Sequence, residues 1–143
     1  MKPIPGRPRW RPALLLLALI LILPQCSTKS RDEYVREGLA HIEKENYQAA
    51  EHAFRRAIEA DPKHADGYYH LGSIYNVRKQ YPEAEAQFKK AVRLDPTHYD
   101  AHFSLAYALE QQGRQEQADK EYAAYRRLKK MSDRLRKKRQ ETR

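Results

Sequence analysis

The chain has one cysteine, Cys26, among its 143 residues, so no disulfide can close within it and the fold must rest on packing. Glycine is almost as scarce. Gly6, Gly38, Gly67, Gly72 and Gly113 lie far apart, which excludes a glycine-rich phosphate loop. No stretch alternates apolar and polar residues with a period of two, so no sheet is expected. Only one long apolar run occurs, Ala13 to Leu23, and its 11 residues would span roughly 16 Å as a helix. A bilayer core needs about 20 residues, so this run is too short to cross one comfortably.

Charge of one sign is missing from both ends. Residues 1–25 carry Lys2, Arg7, Arg9 and Arg11 and no acid, and residues 126–143 carry ten basic residues against two acids, a net of +8. The middle, 26–125, holds 14 basic and 17 acidic residues. A slightly acidic body therefore lies between two basic ends, a pattern that speaks of targeting or partners and not of fold.

The basic start and the run bounded by Pro12 and Pro24 have the charge and length pattern of a secretory signal. Leu23 stands three residues before Cys26, and here the sequence resembles a bacterial lipoprotein signal. The resemblance implies cleavage before Cys26, its acylation, and a linker over 26–30. Pro24 and Gln25 depart from the pattern, and an uncleaved anchor and ordinary cleavage stand as alternatives. Several acyl chains would hold the protein stably on a membrane. Ser27 after the cysteine goes, in such lipoproteins, with transfer to the periplasmic face of the outer membrane; the inner membrane is the alternative.

From residue 31 the sequence repeats every 34 residues. Tyr34, Tyr68 and His102 form one column; Gly38, Gly72 and Ala106 another; then Ala50, Ala84 and Ala118; and Phe54, Phe88 and Tyr122. Each unit holds two runs of helical period, 32–45 with 48–59, 66–79 with 82–94, and 100–112 with 116 onward. Pro62 and Pro96 close the second helices, and Pro82 suits a helix start. This pattern resembles the tetratricopeptide repeat over residues 31–132, in units 31–64, 65–98 and 99–132. The resemblance implies an all-α, right-handed solenoid of three helix-turn-helix units. Polar Glu37 and His41 suit a first unit with no neighbour before it. Bulky Tyr125, where the others have Ala57 and Ala91, points to no fourth. Tyr125, Leu128, Met131 and Leu135 recur as one stripe, so the last helix is expected to extend as a cap, with a basic end over 133–143.

No catalytic arrangement emerges. His64 and His98 fall in turns, and His41 and His102 in aromatic columns where they pack. Neither a metal nor another cofactor is expected, nor is enzymatic activity; the abundant acids read as solvated faces. In the family it resembles, the first helix of each unit lines a groove that takes a protein segment. Carried over by position, the groove residues here are Val35, Leu39, Tyr69, Ser73, Asn76, Phe103 and Tyr107. The positions that hold a carboxylate clamp in chaperone-binding members carry Val35, Leu39, His70, Asp100 and Ser104, so a clamp is not expected. The expected role is a protein-binding scaffold or assembly factor of the cell envelope. Small lipoproteins of similar layout include the pilotins of type IV pili, which makes pilus or secretion assembly one form of that role. The tail residues Arg134, Arg136, Lys137, Lys138 and Arg139 are candidates for contact with anionic lipid or an acidic protein. Nucleic acid is not an expected partner of an exported chain; the alternative is an uncleaved anchor with the body in the cytoplasm, whose basic helix binds anionic lipid or nucleic acid.

Overall fold

A computed structural model describes residues 29–142, so Cys26 and the apolar run before it lie outside the described residues. Among these the chain is helical: α1 Arg31–Glu43, α2 Tyr47–Ala60, α3 Ala65–Val77, α4 Tyr81–Leu94, α5 Tyr99–Glu110 and α6 Gln115–Glu141. Each start has a local cause. Ser30 caps α1 in a reciprocal box with Glu33. Asn46 accepts from the Ala49 amide at α2. His64 and His98 cap α3 and α5 through Nδ1, which accepts from the Asp66 and Ala101 amides at 3.4 and 3.2 Å. Pro82 sits in the first turn of α4.

The turn inside each unit repeats as well. Glu45, Lys79 and Gly113, each 34 residues from the next, adopt φ of 55°, 60° and 74°. That left-handed conformation satisfies the carbonyls at a helix end, and only glycine adopts it without steric cost.

Within a unit the two helices approach at the glycine column. A Cβ on Gly38 would lie 2.4 Å from the Phe54 ring, and one on Gly72 2.7 Å from the Phe88 ring. Both phenylalanines are fully buried, Phe54 with Ala50 and Phe88 with Ala84. Between units, α3 sends Leu71 and Ile74 onto Ala50 and Phe54, and α5 sends Leu105, Ala108 and Leu109 onto Ala84 and Phe88.

The curvature comes from which helices meet. First helices touch their successors, α1 with α3 and α3 with α5, whereas α2, α4 and α6 do not touch one another. The side formed by α1, α3 and α5 is therefore the inner, concave one. The last helix covers the third unit only in part. Leu128 is buried against the body, but Met131 and Leu135 are 50% and 59% exposed. The apolar stripe expected to cap the stack does so up to Leu128 and then runs on into solvent.

Candidate functional site: the face of the first helices

The groove positions do not share one environment. Leu39 and Phe103 are 38% and 44% exposed, and Val77, at the end of α3, is 56% exposed. These three are the large apolar side chains that the first helices leave open. Val35, Ser73, Asn76 and Tyr107 are half-buried beside them. Val77 was not singled out from the sequence, because its neighbour Asn76 occupies the position the repeat pattern assigns to the groove.

Tyr69 belongs to the junction between units. Its ring lies 6.1 Å from Phe88 and 4.7 Å from His98, and it touches His70 edge-on at 5.1 Å. His70 in turn stacks on Phe54 at 4.9 Å. An aromatic chain thus runs from Phe54 of the first unit to His98 at the end of the second. Burial, with the nearby charge of Asp100, pushes the Tyr69 phenol above its ordinary range. Burial holds the His70 imidazole below its own, so the ring is neutral near pH 7. Phe103, 34 residues on, meets no further first helix among the described residues. It packs edge-on against Tyr122 at 5.6 Å and lies 5.1 Å from Tyr125, one face open. Tyr122 donates to Glu110 at 2.9 Å. Its phenol is pushed up to about 12 by burial first and by that carboxylate next.

Asn76 carries the buried side-chain oxygen that finds no partner among the described residues, its Oδ1. Ser73 donates to the Tyr69 carbonyl at 3.0 Å within its own helix. At the clamp positions, Val35 and Leu39 are apolar, His70 is neutral, and Asp100 carries the sign opposite to the one a carboxylate needs. The arrangement offers exposed apolar and aromatic surface with an acidic edge.

Glu85 corrects the expectation of solvated acidic faces. It is 7% exposed. Both its oxygens accept from Arg114 at 2.7 Å, and it also binds Gln112 at 2.9 Å and Lys89 at 2.6 Å. Glu51, one repeat earlier, holds Arg55 and, across the junction, Arg78. Burial works against the charge of each carboxylate, but these cations and hydrogen bonds outweigh it and hold both below the usual range. Each is a lock between one unit and the next. The signal that could have found them is the column itself: Glu51, Glu85 and Asp119 stand 34 apart.

Four of the six histidines, His64, His70, His98 and His102, serve structure. His98 and His102 do stand at the four-residue spacing that two ligands on a helix use. His98 caps α5, however, and His102 is buried with Nδ1 2.6 Å from Glu121 and Nε2 3.2 Å from the Pro96 carbonyl. No three metal-ligating residues gather among the described residues. A cleft of about 680 Å³ lies away from the groove at the start of α1 and the end of α2, lined by mixed charges such as Arg31, Arg56, Glu59 and Asp61. Arg134, Arg136, Lys137, Lys138 and Arg139 stand exposed on the outer half of α6. No described helix is long and apolar enough to cross a membrane.

Tetratricopeptide repeat models match residues 35–99 and 88–120, together more than half of the chain. Among solved structures, MamA is 26% identical over 85% of this chain and 70% of its own, with a TM-score of 0.70. The TPR2B domain of yeast Sti1 in complex with pHsp70 is 24% identical over 77% and 88%, with a TM-score of 0.70. The second repeat domain of Spaghetti, bound to the HSP90 peptide SRMEEVD, is 21% identical over 75% and 99%, with a TM-score of 0.68. No curated protein matches the chain.

Proposed function

Because the chain belongs to the tetratricopeptide repeat family, we propose that it is a non-enzymatic scaffold that takes a segment of a partner protein along its concave face. The observation that carries this reading is the exposure of Leu39, Val77 and Phe103, one on each first helix, large apolar side chains that the fold leaves open to solvent. Related folds in complex with chaperone peptides support the general mode. The segment bound here differs in chemistry. Without a cation at the clamp positions, affinity must come from buried apolar area, with an aromatic such as Phe103 dominating as hot-spot residues do. Such binding depends little on salt, since apolar burial is not screened as exposed charges are.

The site of action in this proposal is the bacterial envelope. The basic start, the run Ala13–Leu23 and Cys26 support an acylated anchor at the periplasmic face of the outer membrane, and the layout supports a role in assembling a pilus or secretion apparatus. Labelling cells with a clickable fatty acid tests the anchor: label on the wild type that disappears in Cys26→Ser is expected, and undiminished label on that variant defeats it. For the groove, Leu39→Ala with Phe103→Ala should lower recovery of the native partner by affinity capture at least as a typical hot-spot truncation does, about 30-fold in affinity. An Ala86→Ser control on α4 should leave recovery unchanged. Equal recovery by both places the binding surface elsewhere.

A further inference from the structure

The outer half of α6 is long, regular and without a partner among the described residues. After Leu128 every residue to Thr142 except Ser132 is exposed, so the helix projects about 20 Å from the body at about 1.5 Å per residue. Cations surround its axis, with Arg126, Lys130 and Lys137 on one face and an apolar stripe on the other. At about 100° per residue, Met131 and Leu135 continue the line of Leu128. Arg127, Arg134 and Lys138 border this stripe on one side, and Arg136 and Arg139 on the other. Asp133, one of the two acids beyond residue 126, stands on the opposite side, where it pairs with Arg136 at 3.1 Å. The stripe and Arg139 wall a cleft of about 500 Å³ whose far side is Thr97 and Tyr99.

We propose that this helix end rests on an anionic phospholipid surface, with Met131 and Leu135 at the acyl boundary and the flanking cations on lipid phosphates. An apolar stripe with cations on both borders is the arrangement in which long basic side chains reach the headgroups while their stems cover apolar surface. The area argues against a protein partner as the main occupant. Two exposed apolar side chains fall far short of the about 800 Å² per partner that a stable protein interface buries, whereas a membrane supplies phosphates to every flanking cation at once. A second copy of the helix brings the same positive charge and is repelled. Nucleic acid would use the cations and leave Met131 and Leu135 without a role. The inference is independent of the groove.

The full chain is tested by flotation with phosphatidylcholine vesicles, with and without phosphatidylglycerol, in low and high salt. The neutral vesicles report any binding through the apolar run Ala13–Leu23. The wild type should bind anionic vesicles about ten-fold more strongly than neutral ones, and the excess should fall with salt. Arg134→Glu with Lys138→Glu and Arg139→Glu should abolish that excess. Met131→Ser with Leu135→Ser should weaken it several-fold and remove the part that resists salt. All five positions are exposed, and dichroism should show both variants folded. An excess that is equal in wild type and charge variant overturns the proposal. So does tail-dependent binding of a poly-glutamate peptide or of duplex DNA without an excess on anionic vesicles.

Discussion

The two junctions between repeats and the open end after the third are built from the same columns, yet the same residue does different things in each. Tyr69 is half-buried against the start of α5 and serves packing, whereas Phe103 meets no further first helix among the described residues and is largely surface. Glu51 and Glu85 receive a cation from the next unit, but Asp119 has none to receive and binds Gln115 of its own helix at 2.9 Å. In a stack where each unit touches only its neighbours, a column residue acquires its role from the next unit in the stack. Function is therefore read from the positions left open and stability from those closed.

The largest expected break in that comparison is at the glycine column. Gly72→Leu must displace the Phe88 ring at the helix approach of the middle unit, and thermal unfolding should show a loss of about 3 kcal/mol. Gly38→Leu should act similarly on Phe54.

The acidic column gives a graded series. Glu85→Ala removes the buried acceptor that Arg114, Lys89 and Gln112 share and should cost about 2 kcal/mol. Glu51→Ala, whose carboxylate is itself more exposed than that of Glu85, should cost about 1 kcal/mol, and Asp119→Ala less than about 0.5 kcal/mol. Denaturant titrations of the three variants check the order; equal losses would mean that the columns do not differ by context.

The same groups set an acid limit. Because both carboxylates titrate lower in the fold than their ordinary value of about 4.3, their stabilisation is present above that pH. It is lost as pH falls through the lowered folded values. Melting temperature should drop on that descent, and Glu85→Gln should flatten the drop.

The smallest effects lie in the inner turns and under the groove. Lys79→Gly relieves a left-handed residue and should stabilise by about 0.5 kcal/mol, unlike any change at Gly113, which already has the suitable residue. Asn76→Leu removes an orphaned buried oxygen and should raise the melting temperature by a few degrees.

The sequence was informative wherever one unit could be compared with another. The 34-residue period, Pro62, Pro82 and Pro96 located six helices within about two residues at most ends, because prolines and small-residue columns act locally. The locks at Glu51 and Glu85 were hidden because a glutamate on a polar helix resembles a solvated one until its distant partner is known. The groove row was legible as positions and not as exposure: Tyr69 and Phe103 are one column, and only the missing fourth first helix separates their fates. Met131 and Leu135 read as core because their spacing is correct, and nothing in the spacing says where the body ends.

The claim that the open, concave face holds a protein segment is tested most directly by position-resolved photo-crosslinking in cells. A benzoyl-phenylalanine is placed singly at Leu39, Val77 or Phe103 on the first helices, and at Ala86 or Arg93 on α4. The account predicts one shared crosslinked protein species from the three concave positions and none from α4. Crosslinks to that species from α4 alone would contradict it.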